Sequence, residues 1–191
     1  MTSLKSTSDP LFHQSLAYIQ QKAKEILTTI SPSMIDQIKT MFFQANRVFV
    51  YGAGRSGLAA RAFAIRLVHL GFQTFVIGET IGAPVKKGDL VVLVSGSGST
   101  IPAVMTGEIA HNKKAKVMVV TGQADSQITT FADYTVLLDA HCDEPQRKEL
   151  APLGTLFEAS AWIFLDALVA ELMKAKGETE ASMRSRHATL E

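Results

Sequence analysis

Residues 90–100 read LVVLVSGSGST: five aliphatic side chains in a row, then three serines, two glycines and a threonine packed into the next six positions. A half-exposed strand alternates apolar and polar residues, so an unbroken aliphatic run of this length fits a strand covered on both faces. RVFVY (47–51), TFVIG (74–78), KVMVVT (116–121) and YTVLLD (134–139) share that texture, and helical stretches at about 58–70 and 102–113 lie between them. Five such runs separated by helices predict an α/β domain: a doubly wound five-stranded parallel sheet with helices on both faces. Two additional N-terminal helices are expected from about Pro10 to Ile30 and from Pro32 to Ala45, within residues 1–45. Their apolar stripe, Leu16, Ile19, Ala23 and Ile26 in the first, lies outside the sheet unit and is available to another subunit. Residues 177–191 are polar and read as a loose tail or as an arm reaching a neighbouring subunit.

With 191 residues, 47% of them hydrophobic and 19% charged, the chain fits one well-cored domain spanning residues 1–191 and not a disordered one. A formal net charge of +1 with scattered basic residues gives no footprint for nucleic acid. Apolar runs stop short of a bilayer-spanning length and MTSLKSTSDP has no apolar signal core, so no membrane partner and a cytoplasmic location are expected. Cys142 is the single cysteine, which excludes an intrachain disulfide and a cysteine-based zinc knuckle.

In a doubly wound sheet, ligands bind beyond the carboxyl ends of the strands, and two of the loops there are glycine-rich. GAGRSG (52–57) matches a dinucleotide-binding pattern, with Glu79 near the spacing of a ribose-binding acid. The second loop, SGSGST (95–100), argues against a nicotinamide cofactor, because a dinucleotide has one pyrophosphate and the remaining chain is too short for a substrate domain. Thr100 is placed to cap the following helix, with Pro102 in its first turn where a missing N–H costs little. Free amides and the positive end of the helix dipole then face the loop. Gly96 and Gly98 admit close approach, while Ser95, Ser97, Ser99 and Thr100 supply hydroxyls. That chemistry suits a dianion such as a phosphate monoester. The loop carries no lysine of the nucleoside-triphosphatase kind. The plainer alternative is a solvated turn rich in serine.

VYGAGRSGLAARAFAIRLVHLGF, VIGET, KKGDLVVLVSGSGST, APLGTLFE and RHATLE together resemble the sugar isomerase (SIS) domain family, phosphosugar-binding modules with a flavodoxin-like five-stranded sheet. Within it the chain is similar to the 6-phospho-3-hexuloisomerases, which interconvert 3-hexulose 6-phosphate and fructose 6-phosphate in the ribulose monophosphate pathway of formaldehyde fixation. The resemblance implies a sugar phosphate substrate, hexulose phosphate synthase as the functional neighbour, no metal and no cofactor, and a homotetramer built as a dimer of dimers. It also implies substrate and phosphate binding by Gly54, Arg55 and Ser56 in the first loop and by Ser95, Gly96, Ser97 and Thr100 in the second. Ser99 stands where the family usually has a glutamate, which removes that carboxylate from any role in orienting a sugar hydroxyl.

Carbonyl migration between adjacent carbons needs a base, and Glu158 heads a nearly uncharged helix on a face with Trp162, Leu165, Val169 and Leu172. The resemblance assigns proton transfer to Glu158, acting through a cis-enediol. An acid in a first helical turn is also a common dipole partner. Asp166, two turns further on, suits a structural hydrogen bond. Two histidines are candidate helpers: His69, in the last turn of a helix that ends before Gly71, and His187, beside Arg184 and Arg186 in the tail. Each has a structural alternative, as a helix C-terminal partner and as a frayed terminus. Residues 141–144, HCDE, are too closely spaced to converge on one metal ion. Other readings of the chain are a different phosphosugar isomerase, such as one acting on arabinose 5-phosphate, and a noncatalytic phosphosugar-binding regulator.

Overall fold

The computed structural model describes residues 10–142 and 145–190. Its sheet comprises β1 (Val48–Gly52), β2 (Thr74–Val76), β3 (Leu90–Ser95), β4 (Lys116–Thr121) and β5 (Tyr134–Leu137), one strand from each apolar run. All are parallel, in the order β2-β1-β3-β4-β5. The chain leaves β1 toward β2 and returns past it to β3, so strand order reverses between β1 and β3, the flavodoxin-like arrangement. Side chains of the central strand serve two cores by alternation. Leu90, Val92 and Val94 join one cluster, Val91 and Leu93 the other, which is why the aliphatic run has no polar gap.

The helices divide unequally between the faces. α1 (Leu11–Leu27), α2 (Pro32–Gln44), α3 (Gly54–His69) and α6 (Thr155–Lys176) cover the first cluster, while α4 (Ile101–Asn112) and a 3-10 turn at Ile128–Phe131 cover the second. A short α5 (Arg147–Leu150) precedes α6, and α7 (Glu180–Arg184) follows it. α1 packs along α5 and α6 of its own chain, with Ser15 Oγ donating to Leu150 O at 2.6 Å. The stripe expected to meet another subunit is thus largely spent internally: Ala23 and Ile26 are buried and Leu16 stays exposed. The tail is likewise laid on its own α3.

α3 begins at Gly54, a turn earlier than its apolar pattern suggests. Gly57 explains why glycine persists inside the helix: a Cβ there would stand 2.5 Å from the Gly52 carbonyl oxygen, so the helix packs against the end of β1 through bare backbone. The start of β3 is pinned by Asp89, whose buried carboxylate accepts from Arg47 at 2.7 and 3.0 Å and from the Lys86 amide at 2.8 Å. Pairing and full hydrogen bonding make that burial tolerable.

Candidate active site

The carboxyl ends of β1, β3 and β4 and the loop after β5 enclose a cavity of about 470 Å³ lined by Ser56, Gly96, Ser97, Thr100, Gln123, His141, Arg147, Leu153, Phe157 and Glu158 among others. Both glycine-rich loops reach it, as strand order requires. In the second loop, the Gly98 amide turns back to Ser95 O at 3.2 Å and Ser99 N–H donates to Ser97 Oγ at 3.3 Å. The amides of Ser97 and Thr100 have no partner among the described residues. Ser95 Oγ is buried under the loop, also without a partner among them. These donors fit an anion at the head of α4.

Thr100 occupies the N-cap position of α4 but its side chain makes no cap bond. The reason is local: Pro102 has no N–H to give, and the Ala103 amide is already bonded to the Thr100 carbonyl at 2.9 Å. The hydroxyl instead stands 3.4 Å from Ser97 Oγ, on the cavity wall. Ser99 donates its hydroxyl to Ser97 Oγ at 3.2 Å.

Glu158 lies in the first turn of α6, its side chain 19% exposed, and its Oε2 accepts from Nε of Arg55 on α3. Arg55 itself is 71% exposed and does not line the cavity. Gly54 precedes it at the first position of α3 with φ 56°. The face proposed for Glu158 needs correction. Leu165, Val169 and Leu172 are buried, but Trp162 is exposed, because it stands just past the edge of the arc that α6 turns toward α1, α2 and α3. Asp166, read as a structural hydrogen-bonding residue, is exposed.

His69 and His187 come together, and not with Glu158. Their rings stack at 4.9 Å at the far end of α3, whose 16 residues set the two ends about 22 Å apart at ~1.5 Å per residue. Arg186 anchors the tail there, donating to the His69 carbonyl at 2.9 Å and to both oxygens of Glu178 at 2.9 and 3.0 Å. Glu79, the candidate ribose ligand, is exposed and pairs with Arg61 at 2.9 Å. Of the HCDE run, His141 and Cys142 line the cavity, while Asp143 and Glu144 lie outside the described residues. Gln123, Arg147 and Leu153 are wall residues the sequence reading missed. Gln123 carried a usable signal, since it lies two residues past the end of β4.

This geometry agrees with the comparisons to known proteins. The family model of the SIS domain matches residues 41–153, more than half of the chain. A 3-hexulose-6-phosphate isomerase of Methylomonas aminofaciens is 36% identical over 174 residues, covering 91% of this chain and 96% of that one. Another from Methanocaldococcus jannaschii is 37% identical over 158 residues, covering 83% of this chain and 82% of the other. A Methanococcus jannaschii protein, for which a 3-hexulose-6-phosphate isomerase function was inferred from its crystal structure, superposes with a TM-score of 0.83 at 30% identity, covering 93% of this chain and 99% of that one. Matched along its sheet, its two glycine-rich loops and nearly its whole length, the chain belongs to the SIS domain family.

Proposed function

We propose that the chain is an isomerase interconverting D-arabino-3-hexulose 6-phosphate and D-fructose 6-phosphate. The observation that carries this reading is the convergence of one carboxylate, Glu158, and an amide and hydroxyl cradle, Ser97 and Thr100, on a single cavity of about 470 Å³. That volume falls in the range of roughly 300–1,000 Å³ typical of small-molecule sites. Relatives named 3-hexulose-6-phosphate isomerase, matched along most of their length, support the same substrate.

The phosphate would occupy the cradle formed by Ser95, Gly96, Ser97 and Thr100, with Gly54 and Ser56 from the first loop alongside. Glu158 takes the proton from C2, the bonding pair becomes the C2=C3 double bond, and the C3 carbonyl oxygen is protonated to give the cis-enediol. Return of the proton to C3, with loss of the proton on O2, leaves the ketone at C2. One base serves both carbons because they are adjacent. A ketone at C3 with O6 phosphorylated cannot close a five- or six-membered hemiketal, so no ring-opening acid is needed in the direction that forms fructose 6-phosphate.

The same reading includes a cytoplasmic homotetramer acting after hexulose phosphate synthase. Exposed Ile101, Met105 and Ile109, at helical spacing on α4, support further assembly. His69 and His187, far from Glu158 of their own chain, would assist catalysis from another subunit's side of such an assembly. The deciding experiment supplies the purified chain with hexulose phosphate synthase, formaldehyde and ribulose 5-phosphate. Fructose 6-phosphate should accumulate only when the chain is present, and its failure to form would end the proposal.

A further inference from the structure

The two oxygens of Glu158 have different surroundings. Oε2 accepts from Arg55 Nε, whereas Oε1 has no hydrogen-bond partner among the described residues and lies over Gly154, 3.1 Å from where a Cβ would stand on that glycine. Arg55 spends only Nε on this contact; its Nη1 and Nη2 donate to no described group. Glu158 lines the cavity, and the largely exposed Arg55 guanidinium meets its carboxylate from α3. Gly154 gives the carboxylate room on its other side, since any side chain there would press on it.

We propose that Arg55 is a positioning residue: it holds Glu158 by Oε2 so that Oε1 alone exchanges the carbon-bound proton. The proposal rests on Glu158 being the base of the isomerisation. A proton that leaves C2 and returns to C3 travels over one bond length, and a carboxylate free to turn would receive it on either oxygen in several geometries. A misplacement of about 1 Å costs on the order of 100-fold in rate. With Oε2 tied down, the C2–H bond breaks, its electron pair forms the C2=C3 bond, and the proton bonds to Oε1. The C3 carbonyl pair moves to O3, which takes a proton from a neighbouring hydroxyl or water. In the second half, the enediol pair takes the proton from Oε1 at C3, while O2 releases its proton as its carbonyl forms. This role differs from the direct substrate contact expected for Arg55 from the sequence.

The test compares the full-length chain with Arg55→Gln, Arg55→Lys and Arg55→Ala. For Arg55→Gln, kcat should fall roughly 100-fold with KM nearly unchanged, as for a lost positioning contact and not a lost ligand contact. Arg55→Lys should recover only part of the loss, because an ammonium lacks the planar donor. Added guanidinium should restore Arg55→Ala. A rise in KM, or in the Kd for fructose 6-phosphate, larger than the fall in kcat would overturn the proposal and return Arg55 to the substrate. A second readout is independent of turnover. In a crystal structure of Arg55→Gln, the Glu158 carboxylate should leave its place over Gly154, and an unmoved carboxylate would refute the positioning role. Should the unaltered chain not turn over the hexulose phosphate at all, the proposed reaction fails and the crystallographic comparison still decides what Arg55 does.

Discussion

Gly96 and Phe157 touch, and through them the anion cradle touches the helix that carries the base. A Cβ on Gly96 would stand 2.9 Å from Phe157 Cδ1 and 3.2 Å from Cγ. Phe157 is buried in the core immediately before Glu158, so its ring has little freedom to yield. Gly96→Ala should therefore cost about 1–3 kcal/mol of stability, the range of overpacked cores, and lower kcat by displacing the first turn of α6. Denaturant unfolding alongside steady-state kinetics checks both parts. A variant with unaltered stability and kcat would show that cradle and base are not coupled through this contact.

Glu158→Gln keeps the size of the side chain and removes the base. Turnover should drop by roughly 100- to 10,000-fold, the usual worth of general-base help, while fructose 6-phosphate still binds. Calorimetric titration and the coupled assay, run on the same preparation, separate binding from chemistry.

Ser97 Oγ is the hub of the second loop, accepting from the Ser99 amide at 3.3 Å and the Ser99 hydroxyl at 3.2 Å while lining the cavity. Its own proton is the one to give to a phosphate oxygen. Ser97→Ala should weaken fructose 6-phosphate binding by about 1.5–3 kcal/mol, the worth of a hydrogen bond to a charged group. Each ~1.4 kcal/mol is a factor of about ten in Kd, which isothermal calorimetry resolves. Unchanged affinity would place the phosphate elsewhere.

The parts of the fold that were legible in the sequence are those fixed by local pattern. Five aliphatic runs became five strands because each strand must bury both faces, and Leu90 to Val94 do so in two different cores. The start of α3 was misread because glycine normally signals a loop, while here Gly57 answers to the Gly52 carbonyl, a tertiary contact. Trp162 and Asp166 were misplaced for a related reason: which arc of α6 is buried depends on α1, α2 and α3 together. Both loops of the cavity could be read as anion sites, since amides at a helix start need only local sequence. The Arg55–Glu158 pair and the His69–His187 stack join residues far apart in the chain, and no spacing rule reveals such partners.

Ser160, two residues after Glu158 on α6, is fully buried and its hydroxyl has no hydrogen-bond partner among the described residues. A buried hydroxyl left unmatched costs about 1–3 kcal/mol, and deleting it removes that cost with little loss of volume. Ser160→Ala should therefore raise the midpoint of urea unfolding without changing the slope. A lowered midpoint would mean that the hydroxyl has a partner in solution.

Glu178 holds Arg186, which ties the tail to α3, and should make that attachment depend on acid. Its carboxylate accepts from Arg186, and from Ser182, and these bonds, the first above all, hold its pKa down from the ordinary 4.5 to about 2. A carboxyl whose pKa is lower folded than unfolded adds stability that is complete above the unfolded value and disappears as pH falls through the folded one. The Glu178 contribution is therefore whole above about pH 4.5 and is lost between there and about pH 2. Arg186 then no longer has its counter-ion, though it keeps the His69 carbonyl at 2.9 Å. Glu178→Gln should abolish this part of the pH dependence, so that the stability difference between the two proteins narrows steadily across the window. Unfolding curves at several pH values measure that difference, and ring-proton shifts of His69 and His187 report whether their stack separates as the tail lets go. A constant difference down to pH 2 would show that Glu178 is not the group that secures the tail.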